Sequence, residues 1–174
     1  MDAARTWGST AEDRARPFAC DRHLTGEADA WFRAVDVDAP APVVFRWLCQ
    51  LRVAPYSYDW IDNFGRRSPR TLTPGLERLR VGQRVMSIFE LVEFEPDRQL
   101  TLVLRGAHWA FGRIAVTYAV VPRDERASRL VVKVLVQPPA RGAVARLWRA
   151  AGPWLDLVMM RKQLLTLKAL AEVS

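Results

Sequence analysis

The amino-acid sequence predicts an α+β fold in which a curved antiparallel sheet wraps around a long C-terminal helix. Three observations carry this prediction. One strand and two short helices are indicated between residues 31 and 64, four alternating apolar segments follow in succession, and residues 143–172 have the apolar spacing of a helix. The chain has 174 residues, half of them apolar, which is enough for one domain with its own core.

The first 28 residues are polar, mixed in charge and without sustained periodicity. We interpret residues 1–28 as an N-terminal arm, partly disordered or packed on the surface, and residues 29–174 as the single domain. The arm lacks the apolar run of a secretory signal. Four charged residues interrupt the apolar C-terminal segment, so no transmembrane segment is predicted there. The two cysteines are far apart and indicate no disulfide framework, and we expect a cytoplasmic protein.

The domain begins with a strand and two helices. Residues 31–37 alternate as a strand does, with Trp31 on its inner face. The prolines at positions 40 and 42 suit a helix start, and apolar spacing predicts a helix over residues 41–52. A second short helix is predicted over residues 56–64, ending at Gly65. The segment 66–82 is loop-like and could enclose a brief strand at residues 76–80.

Four strands of a meander are predicted by the segments RVMSIFELVEFE, QLTLVLRG, GRIAVTYAVVP and RLVVKVLVQP. Their separators are short and compatible with turns, which favours antiparallel hairpins. Alternation in the last two segments places one set of residues inside and Arg113, Thr117 and Lys133 outside. The expected inner set is Ile114, Val116, Tyr118, Val120, Leu130, Val132, Val134 and Val136. The first segment is ambiguous, because residues of both parities are apolar.

The terminal helix carries two apolar stripes. The first contains Val144, Leu147, Trp148, Ala151, Leu155 and Val158, and the second contains Leu157, Met160, Leu164, Leu167 and Ala171. Proline removes a helical hydrogen bond, so a kink at Gly152 and Pro153 would let both stripes face one core. We therefore expect both stripes to be buried.

This order of elements resembles the START-like helix-grip superfamily, also called SRPBCC, which includes the birch pollen allergen and polyketide cyclase-like proteins. The segments that carry the resemblance are RAVDVDAPAPVVFRWL, GRIAVTYAVVP and LWRAAGPWLDLVMMRKQLLTLKALAE, and APYSYDWIDNFGRRSP resembles an uncharacterised bacterial branch. The resemblance covers residues 30–172. It implies a mostly apolar cavity between the sheet and the terminal helix, which in relatives holds lipids, sterols, polyketides or other hydrophobic molecules. It carries over no catalytic residue.

Aromatic and adaptable side chains near the expected cavity are the candidates for ligand contacts. Tyr56, Trp60 and Phe64 recur at four-residue spacing and would turn inward as an aromatic gate over the cavity. The full set of predicted ligand-binding residues is Tyr56, Trp60, Phe64, Phe89, Trp109, Phe111, Tyr118, Leu155 and Met159. Each also has a purely structural interpretation as core or surface.

The sequence contains no nucleophile elbow, no HExxH, no Walker loop and no GxGxxG motif. With two histidines in the chain, no metal and no cofactor are predicted. The candidate catalytic residues are His108, Tyr118, Asp59, Asp62 and Glu90. His108 could act as a general base or be a turn histidine in water. Tyr118 lies on an inner face, where its hydroxyl needs a hydrogen-bond partner in the protein or in a ligand.

Three functional hypotheses follow. The first is binding of a hydrophobic or aromatic small molecule by a monomer or homodimer. The second is a metal-independent enzyme of the polyketide cyclase or dehydratase type, which transfers protons through a tyrosine, aspartate or histidine in the cavity. The third is a basic regulatory or membrane-surface module, suggested by the net charge of +7. The arginines are scattered and no nucleic-acid-binding motif accompanies them, so no specific nucleic-acid partner is predicted.

Overall fold

Six antiparallel strands form one sheet in the order β1-β6-β5-β4-β3-β2. They are β1 Asp29–Val37, β2 Arg84–Val85, β3 Phe89–Glu95, β4 Gln99–Leu104, β5 Arg113–Pro122 and β6 Ser128–Gln137. The structure is a computed structural model that describes residues 2–62, 65–106, 111–138 and 142–174. The predicted antiparallel meander is confirmed. β1 joins it by pairing with β6, with Asp29 opposite Val136 and Val37 opposite Ser128.

Short helices lie before and after β1, and a long helix lies at the C-terminal end. They are α1 Ala3–Thr6, α2 Ala11–Ala15, α3 Cys20–His23, α4 Ala41–Cys49, α5 Asp59–Asp62 and α6 Gly142–Ala171, and a 3₁₀ turn over Gln50–Arg52 extends α4. The prediction that the second short helix begins at residue 56 is wrong. Tyr56 has a φ of 55°, in the left-handed region that an α-helix excludes.

The inner face of the sheet packs against α4 and α6. Trp31, Tyr118 and Leu130 are among its fully buried side chains, and they join one core cluster with Trp47 of α4 and Leu164 of α6. The inner faces predicted for β1, β5 and β6 are confirmed, because side chains alternate along each strand. A curved sheet around a terminal helix is therefore the architecture of this chain.

A β-bulge resolves the ambiguity of β3. The pairing of β3 with β4 shifts between Leu91 and Glu93, and an extra residue in one strand moves the following side chains to the opposite face. Leu91 is fully buried, and Phe89 and Phe94 both pack against the core although they differ in parity. Both apolar sets of this segment therefore contribute to the interior.

Residues 18–24 of the N-terminal arm pack on the outer face of the sheet. Phe18, Cys20 and Leu24 cluster with Phe32 and Val131, which point away from α6. The backbone N–H of Cys20 donates to the Thr117 hydroxyl at 2.9 Å. Thr117 lies on the outer face, as predicted, and is buried because the arm covers it. Both faces of the sheet are thus covered along these strands.

The terminal helix buries one of its two predicted stripes. Leu157, Met160, Leu164, Leu167 and Ala171 are buried, as predicted. The prediction that the first stripe is also buried is wrong: the side chains of Leu147, Leu155 and Val158 are 69%, 68% and 52% exposed. The helix keeps one face toward the sheet along its length, because β1 binds that face at Pro153 and Asp156. No helix of the described residues has the length and apolar character to cross a membrane.

Candidate functional site

A buried arginine lies on the inner face of β1, beneath α6. Arg33 has the same parity as Trp31 and Val35, so alternation directs its side chain into the interior, where it is completely buried. Its guanidinium donates to the carbonyl oxygens of Phe32 at 2.8 Å and Pro153 at 3.1 Å, and to the Asp156 carboxylate at 2.8 Å. Arg33 therefore ties the first strand to the terminal helix.

Asp156 is the counter-charge of this arginine. Its side chain is 20% exposed. Burial, opposed by Arg33, raises the pKa of the Asp156 carboxyl to about 6, because loss of water disfavours the charged form more than the arginine restores it. A carboxyl with this pKa exchanges protons near neutral pH.

A second polar group lies further along the same face of α6. The Tyr118 hydroxyl donates to the Gln163 side-chain oxygen at 2.7 Å, and the Gln163 amide donates to the Pro55 carbonyl at 2.7 Å. Burial and the charge of Asp156 raise the pKa of Tyr118, so its hydroxyl stays protonated and serves as a donor. The hydroxyl is also 3.7 Å from the sulfur of Met160. The partner expected for Tyr118 is therefore a protein group, Gln163.

Among the described residues, four buried donors have no hydrogen-bond partner. One is the Gln83 amide, in the loop before β2, and three lie in the interior: the indole N–H of Trp31, the Nε–H of Arg33 and the hydroxyl of Tyr56. The Trp31 ring stacks on Trp148 of α6 with centroids 5.8 Å apart and planes at 16°. The Tyr56 ring meets Trp47 edge-on at 6.1 Å, and burial raises the pKa of Tyr56 to about 12. All three donors belong to segments that contact α6 or the core beneath it. We call this set, with Asp156, the inner polar site.

Several predicted ligand-binding residues lie elsewhere. The prediction that Trp60 turns inward is wrong, because its side chain is 74% exposed. Leu155 and Phe111 are exposed as well. Tyr56 precedes α5 and does not share a helical face with Trp60. Phe64 and Trp109 lie outside the described residues.

Two other ligand candidates border the interior. Phe89 is half-buried and packs against the core. Met159 is half-buried, and its sulfur lies 3.8 Å from the Ser57 hydroxyl. Together with Tyr56 and Tyr118, they are the predicted ligand contacts that lie in or border the interior of the fold.

Two of the acidic catalytic candidates, Asp59 and Glu90, form structural contacts. Asp59 accepts hydrogen bonds from the backbone N–H and hydroxyl of Ser68, at 2.8 and 2.5 Å, and thereby holds the loop after α5. Glu90 pairs with Arg105 across the end of the sheet. Asp62 is the last residue of α5, and His108 lies outside the described residues. Among the catalytic candidates whose side chains the structure describes, Tyr118 is the one that contacts the buried side of α6, through Gln163.

Three residues of this region were not predicted from the sequence: Arg33, Asp156 and Gln163. Strand parity was the available signal for Arg33, since Trp31, Val35 and Val37 already marked the inner face of β1. Asp156 lies four residues before Met160, on the stripe that is buried, which is the corresponding signal on a helix. Both patterns place a charged residue in the interior, although charged side chains usually lie at the surface.

Other possible sites among the described residues have different character. No three histidine, cysteine or acidic side chains in that part of the chain come together so as to hold a metal ion. An open depression of about 770 Å³ beside the turn between β5 and β6 is lined by Asp38, Asp124, Glu125, Arg126 and Ala127. Its charged lining does not suit an apolar ligand.

Solved structures with the same architecture support the fold. Crystal structures of proteins from Mesorhizobium loti and Chromobacterium violaceum are each 15% identical to this chain and superpose with a TM-score of 0.52. They cover 84% and 83% of this chain, and 98% of their own chains are matched in each case. The di-domain ARO/CYC protein BexL is 16% identical over 83% of this chain with a TM-score of 0.50, and 46% of its length is matched.

No protein-family model and no curated protein matches the sequence. The structural likeness nevertheless defines the class of fold: this chain has the helix-grip fold of START-like and polyketide cyclase-like proteins. The resemblance noted in the sequence is thereby confirmed at the level of the fold.

Proposed function

We propose that this protein binds a hydrophobic small molecule carrying oxygen acceptors, between the inner face of the sheet and α6. The observation that carries the proposal is the set of unpaired donors of Trp31, Arg33 and Tyr56. A buried donor without a partner costs about 1–3 kcal/mol. Carbonyl, hydroxyl or carboxylate oxygens of a ligand would remove that cost, and the surrounding aromatic and aliphatic side chains favour an apolar body.

The charges of the site favour a ligand with an electron-rich oxygen. Arg33 makes one ion pair, with Asp156, and keeps its Nε–H for a further acceptor. A hydrogen bond to a charged donor is about twice as strong as one between neutral groups. Oxygenated aromatic molecules combine such acceptors with a flat ring that suits the stacked indoles of Trp31 and Trp148.

Substitution of the indole donor tests this proposal. Trp31→Phe keeps an aromatic ring and removes the unpaired N–H. The smaller ring leaves space in the core, so the free protein should lose some stability but stay folded. We expect the variant to bind 1,8-dihydroxyanthraquinone about fivefold more weakly than the wild type, because one hydrogen bond is lost. Anthracene has the same ring system without oxygens and serves as the matched probe, whose affinity should change less. Fluorescence titration measures both affinities.

Two results would contradict the proposed ligand binding. If neither probe binds saturably to the wild type, the proposal fails. It also fails if Trp31→Phe and Tyr56→Phe both leave the affinity for the dihydroxyanthraquinone unchanged, because the unpaired donors then contact no ligand.

A second candidate function, proton transfer by a cyclase or dehydratase type of enzyme, is favoured by the pKa of about 6 at Asp156. A carboxyl that titrates near neutral pH can remove a proton next to a bound carbonyl, while the unpaired Nε–H of Arg33 stabilises the negative charge on the carbonyl oxygen. 2-Tetralone in deuterium oxide is a suitable probe, with proton exchange followed by NMR. Enzyme-dependent exchange that Asp156→Asn abolishes supports this function, and equal exchange with both proteins excludes it.

A further inference from the structure

The side of α6 turned away from the sheet carries an apolar surface, which we call the outer face. It consists of Leu147, Ala150, Ala151, Trp154, Leu155 and Val158. Leu147 and Leu155 are more than two-thirds exposed, and Trp154 and Val158 are 56% and 52% exposed. A contiguous apolar surface with an exposed tryptophan is uncommon on a monomeric soluble protein and marks an interaction site.

A cationic residue lies at each end of the outer face. Arg146, Ala150, Trp154, Val158 and Lys162 follow one another at four-residue spacing, and all five are exposed. Residues four apart lie along one ridge of a helix, so the apolar ridge has an arginine before it and a lysine after it. At 1.5 Å per residue this ridge is about 24 Å long.

The outer face carries no carboxylate. Between residues 145 and 162 the one acidic residue in the sequence is Asp156, and its side chain pairs with Arg33 on the opposite side of the helix. Apolar side chains with a cation at each end complement a surface that has an apolar interior covered by a layer of anionic groups. A second copy of this chain, docked through the same face by a twofold axis, would instead bring like charges toward each other.

We propose that the outer face of α6 docks onto the surface of an anionic lipid bilayer, with the helix parallel to the membrane. Trp154, Leu155 and Val158 would enter the boundary between headgroups and acyl chains, as the apolar face of an interfacial helix does. Arg146 and Lys162 would lie among anionic headgroups. This proposal uses the side of α6 opposite the inner polar site, so each can hold without the other.

Vesicle sedimentation tests it with the full-length chain. We expect the wild type to bind vesicles of mixed phosphatidylcholine and phosphatidylserine, with an affinity that falls as salt rises. Leu155→Ser should weaken binding about tenfold, because an apolar side chain no longer enters the membrane. Lys162→Gln should weaken it about fivefold, through loss of one cation at the lipid surface.

Two control variants test whether weaker vesicle binding is specific to the outer face or follows from losing any exposed apolar side chain or charge. Val81→Ser removes an apolar side chain of similar exposure, 63%, from a loop before β2. Arg123→Gln removes one exposed charge from the turn between β5 and β6. Both should retain wild-type binding to the mixed vesicles, because neither residue belongs to the outer face.

Three results would overturn the proposal. These are no binding to the mixed vesicles, equal binding to vesicles of phosphatidylcholine alone, and equal losses in the outer-face variants and their controls. Light scattering identifies the alternative occupant: a dimer that Leu155→Ser dissociates, without vesicle binding by the wild type, would assign the face to a second copy. The anthraquinone titration reports on the interior independently of all these results.

Discussion

At the scale of single residues, the inner polar site is defined by a charged side chain that the fold buries completely. Arg33 occupies a position where strand alternation demands an inward side chain, and its guanidinium is compensated by Asp156 and two carbonyl oxygens. Removing one partner of a buried ion pair costs more than the pair itself contributes, because it leaves an uncompensated charge. The pair therefore constrains both β1 and α6.

The raised pKa of Asp156 predicts a specific pH dependence of stability. The folded-state pKa of about 6 exceeds the ordinary value of 3.8, so the folded chain holds the proton more tightly than the unfolded chain does. This contribution to stability is complete below about pH 4 and is lost as the pH rises through the folded pKa. The wild-type unfolding free energy, relative to that of Asp156→Asn, should thus fall by up to about 3 kcal/mol between about pH 4 and pH 7.

Urea unfolding of both proteins across this pH range measures the difference. A difference that stays constant would mean that Asp156 has an ordinary pKa in the folded chain. A difference that grows with pH would mean that Arg33 lowers the pKa of Asp156 below its ordinary value, which would contradict a raised pKa.

The individual site residues were only partly predictable from the sequence. Tyr118 was placed correctly, because an alternating strand fixes the direction of each side chain. Trp60 was placed wrongly, because the four-residue spacing of Tyr56 and Trp60 has meaning only within one helix, and the left-handed backbone at Tyr56 keeps that residue out of α5. The apolar pattern of the sequence does not predict that one residue, Tyr56, has a positive φ.

At the scale of elements, α6 accommodates a proline through a contact with the N-terminal arm. Pro153 has no N–H, so the carbonyl of Arg149 lacks its helical donor. The Arg5 guanidinium donates to that carbonyl at 2.9 Å. One turn of the helix is thereby completed by a residue from the other end of the chain.

Gly152 has a packing role that predicts an unusual substitution effect. Alanine normally stabilises a helix interior by about 1 kcal/mol relative to glycine. A Cβ at position 152 would overlap the six-membered ring of Trp148, which stacks on Trp31. We expect Gly152→Ala to destabilise the fold by about 1–3 kcal/mol, the cost of overpacking, and to reduce the near-ultraviolet circular dichroism of the stacked indoles.

Ala150→Gly is the control, because it changes helix propensity at an exposed position of the same helix. It should cost about 1 kcal/mol and leave the near-ultraviolet spectrum unchanged. If Gly152→Ala instead raises the midpoint of thermal unfolding, the close approach of Trp148 to residue 152 is not maintained in solution.

The elements themselves were largely predictable, and their faces less so. The extents of β1, β5, β6 and α6 follow from periodicity, which local sequence determines. Which stripe of α6 faces the sheet depends on long-range contacts, above all those of Arg33 with Pro153 and Asp156. Because both stripes of α6 are apolar, the spacing is compatible with either stripe facing the sheet. The sequence alone does not show that one of the stripes is exposed.

At the scale of the whole molecule, the N-terminal arm and the domain form a layered structure. α3 packs on the outer face of the sheet and α1 contacts β1 and α6. A buried arginine of β6 binds the segment between these two helices. Arg129 donates to Asp13 at 2.8 Å, to Asp36 at 2.7 Å and to the carbonyl of Gly8 at 2.6 Å. The arm has no apolar periodicity of its own, so its sequence is compatible with disorder or surface packing and does not show which surface it covers.

Loss of this anchor should destabilise the molecule strongly. Arg129→Met keeps much of the side-chain volume and leaves Asp13 buried without its counter-charge, so we expect a loss of about 3–5 kcal/mol in the free energy of unfolding. Hydrogen exchange should rise first in residues 8–23. The exposed Arg123→Met is the control and should cost less than about 0.5 kcal/mol. Equal losses in the two variants would show that the arm is not held by Arg129.

The claim that a ligand occupies the space beneath α6 is tested most directly by the indole N–H signal of Trp31. The chain has seven tryptophans, and comparison with Trp31→Phe assigns this signal in a ¹H–¹⁵N spectrum. On addition of 1,8-dihydroxyanthraquinone the Trp31 signal should move downfield, because its unpaired donor gains an acceptor. A Trp31 signal that stays in place while those of the exposed Trp60 and Trp154 move would contradict the proposed interior site.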